Sequence, residues 1–165
     1  MHNIFLIRIA IKCFNFYLVA YLKTQITIMD LSALFSLANK VAIITGASKG
    51  IGFGIAEIFA AAGAKVVISS RKQEALDEMA TQLREKGYEV AAIACNVGRM
   101  EELDSLVKKT IEKYGQIDIL VNNAAVNPVF GPVHNTTPEA FDKIMDVNVK
   151  APFHLMNLCF PYLRA

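Results

Sequence analysis

The chain has no tryptophan, only three cysteines among 165 residues, and a formal net charge of just +2 at pH 7. Each shortage removes a class of function. Cys13, Cys95 and Cys159 lie too far apart in sequence to form a metal-ligand pair or a disulfide framework, so reduced thiols in a cytoplasmic protein are expected, and no metal site. With so little net charge and no basic stretch interleaved with aromatics, nucleic acid is not an expected partner. Internal repeats, linkers and low-complexity tracts are missing as well. What is present is apolar: 54% of the residues are hydrophobic and 19% charged, enough for one domain with a substantial core.

The N-terminus departs from this pattern. From Ile4 to Leu22 the chain is almost continuously apolar, close to the roughly 20 residues that span a bilayer, but Arg8 and Lys12 interrupt the run. Each would cost about 2.5–3.5 kcal/mol near the centre of an inserted helix. A secretory signal would carry its charges ahead of the apolar stretch and end at small residues, which this segment does not do. Residues 1–28 therefore read as an apolar extension, either dispensable sequence upstream of a start at Met29 or a membrane anchor, with membrane attachment the less favoured of the two. Residues 29–165 form the second region.

From Val41 onward, short β-branched runs alternate with stretches of helical period, the pattern of βαβ units and a parallel sheet. Val41–Thr45, Lys65–Ser69, Val90–Ala94 and Ile117–Val121 read as strands covered by helices on both faces, because they lack polar alternation. The first helix is expected from Gly50 to about Ala62 with Ile51, Ile55, Ile58 and Phe59 inward. The second is expected to turn Leu76, Met79, Ala80 and Leu83 to the sheet, and the third Leu103, Leu106, Val107, Ile111 and Tyr114. Gly63, Gly87 and Gly115 stand where helices stop. A fourth helix begins near Thr137, with Pro138 in its first turn. Met79, Met100, Met145 and Met156 are read as core filler. The class is α/β, a Rossmann-type doubly wound parallel sheet that breaks off after the fourth strand and its following helix.

Between the first strand and the first helix lies Thr45-Gly46-Ala47-Ser48-Lys49-Gly50-Ile51-Gly52. Glycines permit a tight turn and close approach of a pyrophosphate, whose charge then meets free amides at the helix N-terminus. Their spacing differs from the Gly-x-Gly-x-x-Gly of ordinary dinucleotide folds. About 20 residues further on, an NAD site places a carboxylate for the ribose 2′-hydroxyl; here stand Ser70-Arg71-Lys72 and no acid. Arg71, with Lys49 opposite, suits a 2′-phosphate, so NADP is expected over NAD. Asn122 and Asn123 follow a buried apolar strand and need partners; Asn122 is expected to tie neighbouring strands, and Asn123 with Ala124 to line the cofactor ribose. Phe141, Ile144, Met145, Asn148 and Pro152 share one helical stripe. Pro152 lacks the N–H that would bond the Asn148 carbonyl, so a kink and a freed carbonyl are expected there.

These motifs resemble the short-chain dehydrogenase/reductase family over about residues 39–165. The carrying features are Thr45 ahead of Gly46, Gly50 and Gly52, and Asn122-Asn123-Ala124-Ala125, where Ala125 replaces the family's glycine. Cys95-Asn96-Val97 stands where the family has Asp-Val against adenine; Asn96 keeps an acceptor oxygen without the charge, and a plain turn-forming Asn is the competing reading. The resemblance implies nucleotide contacts from Thr45, Gly46, Ser48, Lys49, Gly50, Ile51, Gly52, Arg71, Asn96, Val97, Asn123, Ala124 and Ala125. It also implies a relay role for Asn148, whose main-chain carbonyl would hold a water; a tolerated core Asn is the alternative. The activity implied is NADP-dependent interconversion of a carbonyl and a secondary alcohol in a homo-oligomeric parent protein, with a small-molecule substrate. The family's catalytic Ser and its Tyr followed four residues later by Lys do not occur at matching positions; Tyr17, Tyr21, Tyr88 and Tyr114 have Tyr21, Gln25, Ala92 and Asp118 four residues on. The chain given is thus expected to be a front fragment, and nucleotide binding without catalysis is the alternative function.

Overall fold

The computed structural model describes residues 34–163, and the expectations for residues 1–28 lie outside them. The compact unit starts at Leu37. Its elements are β1 (Val41–Thr45), α1 (Gly50–Ala61), β2 (Lys65–Ser70), α2 (Gln73–Glu85), β3 (Val90–Ala94), α3 (Met100–Tyr114), β4 (Ile119–Val121), α4 (Pro138–Met145), a π-helical turn (Asp146–Lys150) and α5 (Ala151–Leu163). All four strands run parallel in the order β3-β2-β1-β4. The winding therefore goes outward from β1 through β2 to β3 and then crosses to β4 on the other side of β1. That reversal opens a crevice at the carboxyl ends of the strands, the usual ligand position in open α/β sheets.

Side chains alternate across the sheet, and both faces are covered. Ile44, Val66 and Ile68 pack with Ala56 and Ala60 of α1 and Leu76, Ala80 and Leu83 of α2. Ile43, Val67, Ala91 and Ile93 pack on the other face with Leu103, Leu106 and Val107 of α3 and Ala151, Leu155 and Cys159 of α5. This is the doubly wound arrangement that continuous apolar strands require, since a strand buried on both faces has no polar side. Gly63, Gly87 and Gly115 end their helices with φ of 96°, 85° and 75°, left-handed conformations that glycine adopts without a Cβ penalty.

Several expected faces are displaced. On α1 the buried residues are Gly52, Ala56 and Ala60, whereas Ile51 and Ile58 are 78% and 68% exposed. Small residues every fourth position let the helix axis lie close to the sheet, so the larger Ile55 and Phe59 flank the contact and only partly bury. On the fourth helical segment Phe141 is 54% exposed, and the buried line is Val147, Ala151, Leu155 and Cys159. The π turn inserts a residue between α4 and α5, which rotates the periodicity away from the Phe141 stripe. Met79 and Met100 pack against the two cores, but Met156 is 49% exposed. β4 starts two residues late, because Asp118 uses its backbone N–H on the Val41 carbonyl (2.9 Å) before regular pairing begins.

Candidate functional site

The crevice is a cleft of about 470 Å³ lined by Gly46, Ser48, Lys49 and Gly50 of the loop after β1, Ser70 and Arg71 after β2, Cys95, Asn96 and Val97 after β3, Asn123 to Val126 after β4, and Lys143 and Val147 from the helical arm. Ten of the expected contact residues thus meet in one place: Gly46, Ser48, Lys49, Gly50, Arg71, Asn96, Val97, Asn123, Ala124 and Ala125. Thr45, Ile51 and Gly52 do not line it.

Thr45 and Gly52 work beneath its floor. The Thr45 hydroxyl donates to the Val121 carbonyl (3.3 Å) and accepts from the amides of Asn123 and Ala124 (3.1 Å each). Asn123 Nδ2 donates to the carbonyls of Thr45 (2.9 Å) and Gly46 (3.2 Å). The two strand ends are therefore laced by one hydroxyl and one amide, which satisfies backbone groups that the last rungs of the sheet leave open. Asn123, not the exposed Asn122, is the residue that joins neighbouring strands. A Cβ on Gly52 would stand 2.5 Å from both the Gly46 carbonyl oxygen and Asn123 Nδ2. Glycine at 52 is the condition for α1 to sit on this knot.

Gly46 has φ of 68° and Gly50 of 61°, and a Cβ on Gly50 would point into open space. The loop between them delivers the chain to α1 with Lys49 at its N-cap. No side chain caps the helix there and no acid stands in its first turn, so the leading amides are uncovered toward the cleft. An anion is the natural partner for such amides. The charged residues lining the cleft, Lys49, Arg71 and Lys143, are all cationic.

After β3 the turn is internally held. The Asn96 amide donates to Glu102 Oε2 (2.7 Å), and Asn96 Oδ1 accepts from the Gly98 amide (3.1 Å). Asn96 is therefore a turn former, and its side-chain oxygen, with one bond accepted from Gly98, retains a second lone pair. The Asn96 amide bond, together with Arg99, holds Glu102 below the usual carboxylate range. Burial, with the Glu102 charge adding to it, pushes the neighbouring Cys95 thiol up to about 12. Although Cys95 lines the cleft, it stays a neutral thiol at ordinary pH.

Asn148 lies in the π turn, and both ends of its side-chain amide are hydrogen-bonded. Oδ1 accepts from the Val126 amide and Nδ2 donates to the Val126 carbonyl, both at 2.9 Å. This two-way clamp positions the segment after β4, a partner that reading the helix alone did not show. The expected irregularity at Asn148 takes the form of this π turn, in which the Ala151 amide bonds five residues back to Asp146; Pro152, lacking an N–H, still has none to give the Asn148 carbonyl. Residues 70, 95, 126, 143 and 147 were not anticipated in the cleft. Ser70 and Cys95 adjoin residues expected there, whereas Val126, Lys143 and Val147 stand in a loop and a helical arm that carry no such signal.

A family model for short chain dehydrogenase matches residues 40–165. Dehydrogenase/reductase SDR family member 4 of Homo sapiens is 49% identical over 128 residues, which are 78% of this chain and 46% of that protein. The chain thus spans about half the length of the curated relatives it matches. L-Sorbose reductase from Gluconobacter frateurii, solved with NADPH and L-sorbose, superposes with a TM-score of 0.75 at 35% identity, covering 79% of this chain and 49% of that one. A 3-ketoacyl-(acyl-carrier-protein) reductase from Brucella melitensis, solved with NADH, gives 0.72 at 35% identity over 77% and 51%. Strand order, the glycine loop and these likenesses agree: the chain belongs to the short-chain dehydrogenase family of oxidoreductases.

Proposed function

We propose that the cleft holds NADP(H) and that the chain is the nucleotide-binding part of an enzyme interconverting a carbonyl and a secondary alcohol. The observation that carries this is the uncapped N-terminus of α1, opened by Gly46 and Gly50 in left-handed conformations, beneath a cleft whose charged side chains are all positive. The pyrophosphate would rest on the α1 amides. Arg71 and Lys49 both line the cleft and would meet the ribose 2′-phosphate of NADP, and no carboxylate lines the cleft to accept a bond from a 2′-hydroxyl. Asn123 and Ala124, fixed by Thr45, would back the ribose on the other arm of the molecule.

The bound nucleotide supplies hydride; this chain's residues bind and orient it. The Asn148 side chain holds Val126, and the relay that family membership implies for this residue would use its main-chain carbonyl. Nucleotide binding without turnover is the second reading, in keeping with a cleft whose charged side chains are all cationic. Fluorescence titration of the purified protein with NADPH and NADH tests the binding claim. NADPH should bind more tightly, and Arg71→Ala should erase most of that preference, a loss of about 1.5–3 kcal/mol for a charge-assisted contact. No saturable signal with either nucleotide would overturn the proposal, and an NADH preference would overturn the choice of cofactor. Turnover with a panel of carbonyl compounds separates the two readings.

A further inference from the structure

Lys143 of α4 belongs to none of the motifs described above, yet it lines the cleft. Its ammonium nitrogen and Asn96 Oδ1 would each lie 3.4 Å from a Cβ built on Gly98, and Val147 Cγ2 would lie 3.5 Å from it. An ammonium, an amide and an apolar wall thus meet over the turn after β3. Lys150, one helical segment on, is held by Asp146 at 2.7 Å. Among the described residues no such ion pair holds Lys143, although it lines the cleft.

The strand order says which part of a nucleotide would reach it. With phosphates on the amides after β1, Arg71 after β2 marks the adenosine side, and β3 lies one strand further out. The base would then sit over Asn96 and Gly98. An ammonium has three donors and no acceptor, so it needs an acceptor in the ligand. Adenine offers ring nitrogens of that kind beside an exocyclic amine, and the remaining lone pair of Asn96 Oδ1 suits the amine.

We propose that Lys143 recognises the adenine base by donating to one of its ring nitrogens, beside the amine contact that family membership already implies for Asn96. This rests on the nucleotide reading above. A base contact is common to NADP(H) and NAD(H), whereas a contact to the 2′-phosphate is not, and that difference defines the test.

Purified wild type, Lys143→Met and Lys143→Arg are titrated with NADPH and NADH, and the melting temperature of each ligand-free protein is recorded. Lys143→Met should weaken both nucleotides by the same factor, roughly five- to tenfold for a lost charge-assisted bond at an open site. Lys143→Arg should restore most of it, and the ligand-free melting temperatures should agree. Equal binding by wild type and Lys143→Met overturns the inference and leaves the nucleotide reading intact. A loss several-fold larger for NADPH than for NADH overturns it in favour of a phosphate contact. A fall in ligand-free stability large enough to account for the weaker binding also overturns it, and a wild type that binds neither nucleotide overturns both readings.

Discussion

The two sides of the sheet are held together by different forces. On the β1–β2–β3 side, every residue of β1 and the four central residues of β2 are buried, and helices press apolar side chains onto both faces. On the β4 side, all three strand residues are only half-buried, and Phe153, Met156 and Phe160 of α5 are 65%, 49% and 54% exposed. That side shares the apolar core through Ala151, Leu155 and Cys159 of α5 with Ile117 and Leu120, and adds discrete polar ties: Asp118 to the start of β1, the Thr45–Asn123 knot at its end, and Asn148 to Val126. Burial is tolerant of exchange among apolar residues, whereas a hydrogen bond to a buried carbonyl or amide tolerates almost none. The cleft lies where the two regimes meet.

The sharpest way to break this contrast is at Gly52, which belongs to both. Gly52→Ala places a methyl group 2.5 Å from the Gly46 oxygen and from Asn123 Nδ2, so α1 must move or the knot must open. We expect a loss of about 3 kcal/mol, read as a lower denaturant midpoint at constant m, together with loss of nucleotide binding. Asn123→Ala should cost about 2 kcal/mol, since two carbonyls lose their donor. Unlike an apolar truncation on the β1–β3 side, it should also weaken nucleotide binding, because Ala124 and Gly46 line the cleft.

Asp118 sharpens the comparison through pH. Desolvation pushes its carboxyl up, but the Val41 amide, Lys40 and Gln116 outweigh it and hold the group below the usual carboxylate range. A carboxylate with a depressed folded-state pKa contributes stability that is complete above its unfolded value near about 4 and is lost as pH falls through the folded one. Asp118→Asn should therefore lower stability at pH 7 by about 1 kcal/mol and flatten the acid limb of the stability profile. Equal slopes in variant and wild type would contradict this. The smallest effect is expected at Cys95. Its thiol, raised to about 12 and 1% exposed, should react with iodoacetamide far more slowly than free cysteine at pH 8. Rapid labelling there would mean the β3 end of the cleft opens more than its burial implies.

Much of this arrangement was legible in the residues. Strand identity, the alternation that makes a parallel sheet, the helix-ending glycines and the position of the glycine loop all follow from local rules of periodicity and backbone freedom, which a single segment carries by itself. The exposed Ile51 and Ile58 were misplaced because hydrophobicity alone favoured isoleucine over alanine, while close approach to the sheet favours the smaller residue. The strand-joining role went to Asn123 and not Asn122 for a similar reason: the direction of each side chain at a strand end depends on where the chain leaves the sheet.

What the sequence alone determined, then, is the class of fold and the presence of an anion-receptive loop ahead of a helix, because both are set by contacts within a few residues. The tertiary structure decided the rest. It placed Lys143 beside a turn 45 positions earlier, clamped Val126 to Asn148 across 22 residues, and shifted the register of the last helical segment with a π turn. Those outcomes depend on which distant groups the fold brings within hydrogen-bonding range, a fact carried by no single stretch of chain.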